Sequence, residues 1–133
     1  MIAGAAAAAI LAAIGLIHVY WAAGGKLGKG AGIPTENGKP VLRPSPLATA
    51  VVAVGLFGMA ALLGVRIGGI EVKFVRVGLW LMAAIFLVRA VGDFRYVGFM
   101  KRVRAGPFAR LDTLVYSPLC LLLAALIATC ARA

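Results

Sequence analysis

Leu79-Trp80-Leu81-Met82-Ala83-Ala84-Ile85-Phe86-Leu87-Val88-Arg89-Ala90-Val91-Gly92-Asp93-Phe94-Arg95-Tyr96 is an apolar run that ends in charge. About 20 predominantly apolar residues cross a hydrocarbon core of roughly 30 Å, so the run reads as a membrane span. A charged side chain near the centre of such a span costs about 2.5–3.5 kcal/mol on insertion scales. Arg89 and Asp93 stand four apart, one helical turn, and are therefore expected to pair with each other on one face and to look toward protein or water. The duller reading of the same spacing is an intrahelical ion pair that only neutralises itself.

The rest of the chain agrees with a membrane setting. Hydrophobic residues make up 63% of 133 positions and charged residues 14%, and mean hydropathy is +1.03, far from the balance of a soluble domain. Four stretches are long and apolar enough to span, near residues 1–23, 47–65, 77–99 and 112–131. The expected fold class is all-α: an integral membrane protein built as a four-helix antiparallel bundle, because short connections make neighbouring helices antiparallel. These four spans account for one transmembrane domain over residues 1–133. The first span lacks the basic start and small-residue cleavage site of a signal peptide and reads as a retained helix. Its alanines, Ala5 to Ala9, and Gly15 offer a small face for close helix packing, within the chain or against a second copy in a homodimer.

Charge placement sets orientation. Lys26, Lys29, Lys39, Arg43, Lys101, Arg102, Arg104 and Arg110 fall in the first and third connections, against Arg66, Lys73, Arg76 and Arg132 on the other side. The positive-inside rule then turns the first and third connections to the cytoplasm and both termini outward. The net charge of +10 flanks spans instead of forming a soluble basic face. It points to membrane lipids with anionic head groups as partners and not to nucleic acid. Within the first connection, Ile33-Pro34-Thr35-Glu36-Asn37-Gly38-Lys39-Pro40-Val41-Leu42 centres Asn-Gly between short arms, the chemistry of a tight hairpin. Pro46 suits the first turn of the second helix.

Polar residues gather at the cytoplasmic end of this scheme. His18 and Trp21 share a face of the first helix, and Thr49 opens the second. Arg89, Asp93 and Tyr96 follow at i, i+4 and i+7 in the third, with Arg95 beside them. Asp112 and Tyr116, again one turn apart, enter the fourth. The ligand-binding set is therefore His18, Trp21, Arg89, Asp93, Arg95, Tyr96, Asp112 and Tyr116, expected to line one connected polar space. Several have simpler roles: Asp112 reads first as a helix cap, Tyr20, Trp21 and Tyr96 as interfacial aromatics, and His18 as a packing residue. One histidine and two distant cysteines give no metal or haem spacing, and no cofactor is expected. Cys120 and Cys130, about 15 Å apart by helical rise, are too far apart for a disulfide.

Ile17-His18-Val19-Tyr20-Trp21-Ala22-Ala23-Gly24-Gly25, the stretch from Arg89 to Phe99, and Phe108-Ala109-Arg110-Leu111-Asp112-Thr113-Leu114-Val115-Tyr116-Ser117-Pro118-Leu119-Cys120 resemble a domain-of-unknown-function family of small bacterial four-helix membrane proteins. The resemblance covers nearly the whole chain and is most specific around Arg89–Phe99. It implies a four-span protein of the bacterial inner membrane and supplies no activity.

Two functions of different kinds fit the residues. In one, Arg89 and Arg95, tempered by Asp93, hold the polar or anionic head of a small amphiphile that is bound or transported. In the other, a membrane enzyme acts on a lipid or isoprenoid-like substrate, with His18 or Asp93 as general acid or base. A structural or accessory subunit is the third possibility.

Overall fold

Two helical hairpins, laid side by side, carry the chain back and forth four times. The computed structural model describes Met1–Ala133. Helix α1 (Ile2–Ala22) packs along α2 (Pro46–Ile67). Helix α3 (Lys73–Val91) packs along α4 (Pro107–Arg132), and α1 also lies against α4. At 1.5 Å per residue, each helix is long enough to cross a bilayer, and all four are apolar enough to do so. This is an all-helical, multi-pass membrane architecture.

Local chemistry explains where the helices begin. Ser45 caps α2 by accepting from the Ala48 N–H at 3.1 Å, with Pro46 at the first helical position. Pro46 supplies a preset φ and no orphan donor. Helix α4 likewise opens with Pro107, after Gly106 at φ +100°.

Lipid tails are as apolar as leucine, so close packing holds such helices together more than water exclusion does. Small residues permit that packing. Gly4, Ala7, Leu11 and Gly15 form the buried stripe of α1. A Cβ at Gly4 would sit 2.7 Å from Cys130 Sγ, and one at Gly15 would sit 3.1 Å from the Phe57 ring. The small face of α1 is thus used within the chain, while Ala5 and Ala9 stay exposed. Leu63, Leu79, Leu123 and Ile127 complete the sealed centre. Leu16, Val51, Val54, Leu81, Ile85 and Val88 lie exposed on the outside, where a bilayer would cover them.

Met1, Ala133 and the α2–α3 turn line one cavity, so both termini share an end with that turn. The opposite end carries the longer connections. One holds a two-stranded hairpin, β1 (Thr35–Glu36) and β2 (Lys39–Pro40), paired Thr35 to Pro40 and Glu36 to Lys39. Asn37 at φ 53° and Gly38 at φ 75° make its turn, as the Asn-Gly pair leads one to expect.

The third and fourth spans differ most from the sequence reading. The third span was expected over 77–99, but α3 ends at Val91, and Asp93, Arg95 and Tyr96 lie beyond it in a non-helical segment. The cause is Gly92, which takes φ +100°, a conformation that ends a helix and suits only glycine. The fourth was expected to open at Asp112, yet α4 starts five residues earlier and contains Asp112 in its interior.

Candidate functional site

Asp112 is the centre of the end opposite the termini. From Asp112 to Tyr116 the helix widens into a π turn. Pro118 follows two residues later, and its ring displaces the carbonyl four residues back while its missing N–H removes a helical bond. The widened turn leaves Asp112 wholly shut from solvent. Its Oδ1 accepts from an Arg89 guanidinium N–H at 2.8 Å. Its Oδ2 accepts from the Gly98 N–H at 2.8 Å, the Lys101 ammonium at 3.0 Å and the Ser117 hydroxyl at 3.2 Å. Four donors thus reach this carboxylate, one on Oδ1 and three crowded on Oδ2. Asp112 is therefore not the first-turn cap expected from sequence, because five helical residues, Pro107–Leu111, precede it and its oxygens receive donors from the neighbouring loop and helix.

Lys101 is equally buried. Its ammonium donates to Asp112, to the Gly98 carbonyl at 3.1 Å and to the Thr113 hydroxyl. Arg89 is about a third exposed, and its Nη1 is buried without a hydrogen-bond partner. Two cations against one carboxylate leave this cluster with a formal charge of +1.

The segment after Gly92 closes on itself. Phe99 and Met100 donate their N–H groups to the Ala90 and Val91 carbonyls at 2.8 and 3.1 Å, satisfying the end of α3. Gly92 and Gly98 touch at the neck: a Cβ on Gly92 would lie 1.8 Å from the Val97 carbonyl oxygen. Asp93 organises this loop. Its Oδ1 accepts from the N–H groups of Arg95, Tyr96 and Val97 at 2.8, 2.7 and 3.1 Å. Burial alone would raise the Asp93 carboxyl, but the N–H groups of Val97, Arg95 and Tyr96 outweigh it and hold it below the usual carboxylate value. The Arg89–Asp93 pair expected from spacing does not form, since Gly92 takes Asp93 off the helix and Asp112 receives Arg89 instead.

Arg95 and Tyr96 face the β-hairpin. The Tyr96 hydroxyl donates to Glu36 at 2.7 Å, and Arg95 reaches the same carboxylate oxygen at 3.4 Å while its guanidinium stacks 5.0 Å over the Tyr96 ring. The Glu36 acceptor favours the neutral phenol and raises the Tyr96 hydroxyl above its ordinary value. The hairpin thus docks on the loop that Asp93 shapes.

His18 and Trp21 belong to a different space. The His18 Nδ1 lies 2.8 Å from the Ile14 carbonyl, and its ring meets Trp21 edge-on at 5.3 Å. Trp21 donates from Nε1 to the Leu27 carbonyl at 2.8 Å, and the Tyr20 hydroxyl accepts from the Leu27 N–H at 3.3 Å. The two aromatics therefore clamp the backbone of one residue, Leu27, in the first connection. A cavity of about 130 Å³ opens beside His18 and Trp21, with Lys29, Thr49 and Val52 in its wall. Neither Arg89 nor Asp112 borders it. Tyr116 stands between the groups, packed on Phe108 and donating to the Ala31 carbonyl at 3.1 Å. Of the eight residues expected to share one space, seven thus divide into the Asp112–Arg89 cluster, the Arg95–Tyr96 contact with Glu36, the Asp93 loop and the His18–Trp21 cavity, while Tyr116 is tied to Ala31 of the first connection. No set of three His, Cys, Asp or Glu side chains gathers as metal ligands.

A family model described as "Protein of unknown function (DUF3995)" matches residues 11–127, a stretch that holds every group just described. The chain belongs to this family. No curated protein and no solved structure matches it. In this DUF3995 protein, sequence reasoning missed Lys101, Ser117 and Glu36. Lys101 sits in the run Lys101-Arg102-Val103-Arg104, which reads as a membrane-flanking basic stretch. The available signal was scarcity: only four acidic residues serve the chain, so each buried cation has few counter-ions to choose from.

Proposed function

We propose that this protein binds a small amphiphile by its anionic head at Arg89, in the inner membrane of a bacterium, with the hairpin end in the cytoplasm and both termini outside. The observation that carries this reading is the Arg89 guanidinium. One of its nitrogens is paired with Asp112, while Nη1 is buried with no acceptor. A buried donor without a partner costs about 1–3 kcal/mol, more when charged, and an anionic oxygen would supply the acceptor and offset the cluster's excess positive charge. Val88 and Val91, exposed beside Arg89, give the tail an apolar wall. The enzyme alternative has less support, because Asp93 Oδ1 is occupied by three backbone donors and His18 Nδ1 sits against the Ile14 carbonyl.

The test is native mass spectrometry of the full chain released from mild detergent. Wild-type protein should retain an intact anionic amphiphile, and Arg89→Gln should lose it while keeping its fold by circular dichroism. A chemically altered lipid would favour the enzyme. Equal retention of lipid by Arg89→Gln would leave Arg89 as a structural tie only.

A further inference from the structure

The end of the bundle that carries the termini holds a second concentration of positive charge, with no part in the Arg89 site. Arg66, in the last turn of α2, is 8% exposed and donates to Glu71 at 2.8 Å, while its Nε is buried with no partner. It lines a cavity of about 210 Å³ together with Glu71, Val72, Lys73 and Arg76. At roughly 30 Å³ of liquid volume per water, that space admits a phosphate-sized anion.

The start of α3 makes the site unusual. Val72 occupies the N-cap position and offers no side-chain acceptor, and no acidic residue lies in the first turn. The first N–H groups of a helix have no acceptor inside it, and the macrodipole places partial positive charge there. Helices normally answer with Asp, Glu, Ser or Thr. This one instead puts Lys73 and Arg76 at its positive end, beside Arg66. Only Glu71, 61% exposed, opposes three cations. Beyond Glu71 no acidic side chain compensates that repulsion, whereas an anion would meet the orphan N–H groups, the dipole and the three side chains together. Phe74, 88% exposed between Lys73 and Arg76, and Ile70, 52% exposed, set apolar side chains at the same level.

We propose that Arg66, Lys73, Arg76 and the N-terminus of α3 form a binding site for a phosphate oxyanion, supplied by a lipid head group or by free phosphate. The site is separate from Arg89 and stands whether or not that one binds.

The test follows thermal unfolding of the full chain in a neutral detergent. One arm adds inorganic phosphate against chloride at equal ionic strength, and the other adds phosphatidylglycerol against phosphatidylcholine. The expected result is a saturable rise in midpoint with phosphatidylglycerol, with phosphate, or with both; the arm that responds identifies the source. Lys73→Gln with Arg76→Gln, both side chains exposed, should weaken half-saturation by about tenfold or more, the worth of one or two charge-assisted hydrogen bonds. Arg89→Gln should leave the response in place. A midpoint indifferent to both anions, or a response that the double variant keeps unweakened, would overturn the site.

Discussion

The Lys101 ammonium lies 3.0 Å from Asp112 Oδ2, and both side chains are fully closed to solvent. The contact ties the segment after α3 to the π turn of α4. Because Asp112 also receives Arg89, one carboxylate joins α3, the loop and α4.

Removing that carboxylate should be the most damaging single change at this end. Asp112→Asn leaves Lys101 and Arg89 facing an amide, and breaking a buried pair in this way typically costs about 3–5 kcal/mol. Lys101→Met should cost less, because Asp112 keeps the Arg89, Gly98 and Ser117 donors. A double-mutant cycle read by denaturant unfolding in detergent should give a coupling of about 0.5–3 kcal/mol. Additive effects would show that the pair is not formed in the membrane protein.

The neck of the loop makes a second prediction, and it has two signs. Gly98→Ala would place a Cβ 2.3 Å from the Val91 carbonyl oxygen, so the loop must open and the melting midpoint should fall. Phe94 holds φ 64° and is 55% exposed. A left-handed conformation costs a non-glycine residue about 1–2 kcal/mol, so Phe94→Gly should raise stability by up to about that amount, less what its partial packing contributes. Thermal melts of both variants decide the matter.

Span count and helix class were legible in the sequence because they depend on apolar length alone. The Asn37-Gly38 hairpin was legible because its turn is local. The Arg89–Asp93 pairing was not, although the two residues stand at helical spacing, since that inference assumed the helix continued through Gly92. Glycines are common inside membrane helices, so Gly92 alone did not mark the stop. Asp112 was misjudged for the converse reason: Gly106-Pro107 starts the helix earlier, and the effect of Pro118 on the preceding turn makes room for a buried carboxylate. Lys101 and Glu36 act through contacts distant in sequence, which periodicity does not encode.

Asp93 should give the loop an acid-sensitive component. Its folded-state carboxyl is held below the ordinary value, so the stabilisation is fully present above the unfolded value near pH 4 and fades as pH drops through the lower folded one. Asp93→Asn keeps an acceptor but not the charge. The midpoint difference between wild type and Asp93→Asn should be constant above about pH 5 and shrink on further acidification. A difference that grows on acidification would contradict the assignment.

Orientation is checked by chemistry at the two ends. With Cys120 and Cys130 replaced by serine and alanine, Lys39→Cys should react with an impermeant maleimide only when the cytoplasmic face is open. Ala133→Cys should react in intact spheroplasts. The reverse pattern would invert the topology, although the four spans would stand.

Glu36 joins the hairpin to the loop through two contacts of different kinds, and salt separates them. Arg95 reaches Glu36 at 3.4 Å with side chains 62% and 40% exposed, an ion pair worth at most about 1 kcal/mol and screened at high ionic strength. The Tyr96 hydroxyl donates at 2.7 Å to the same oxygen, and that hydrogen bond to a charged acceptor depends far less on salt. Arg95→Gln should therefore loosen the hairpin at low salt and match wild type near 1 M. Tyr96→Phe should loosen it at either salt, and Glu36→Gln should combine both effects. Hydrogen exchange of the Val41 amide, which donates to the Pro34 carbonyl at 2.9 Å across the hairpin base, reports the opening directly. Equal salt dependence for Arg95→Gln and Tyr96→Phe would mean that Glu36 is held by charge alone, and the phenol contact would have no part in docking the hairpin.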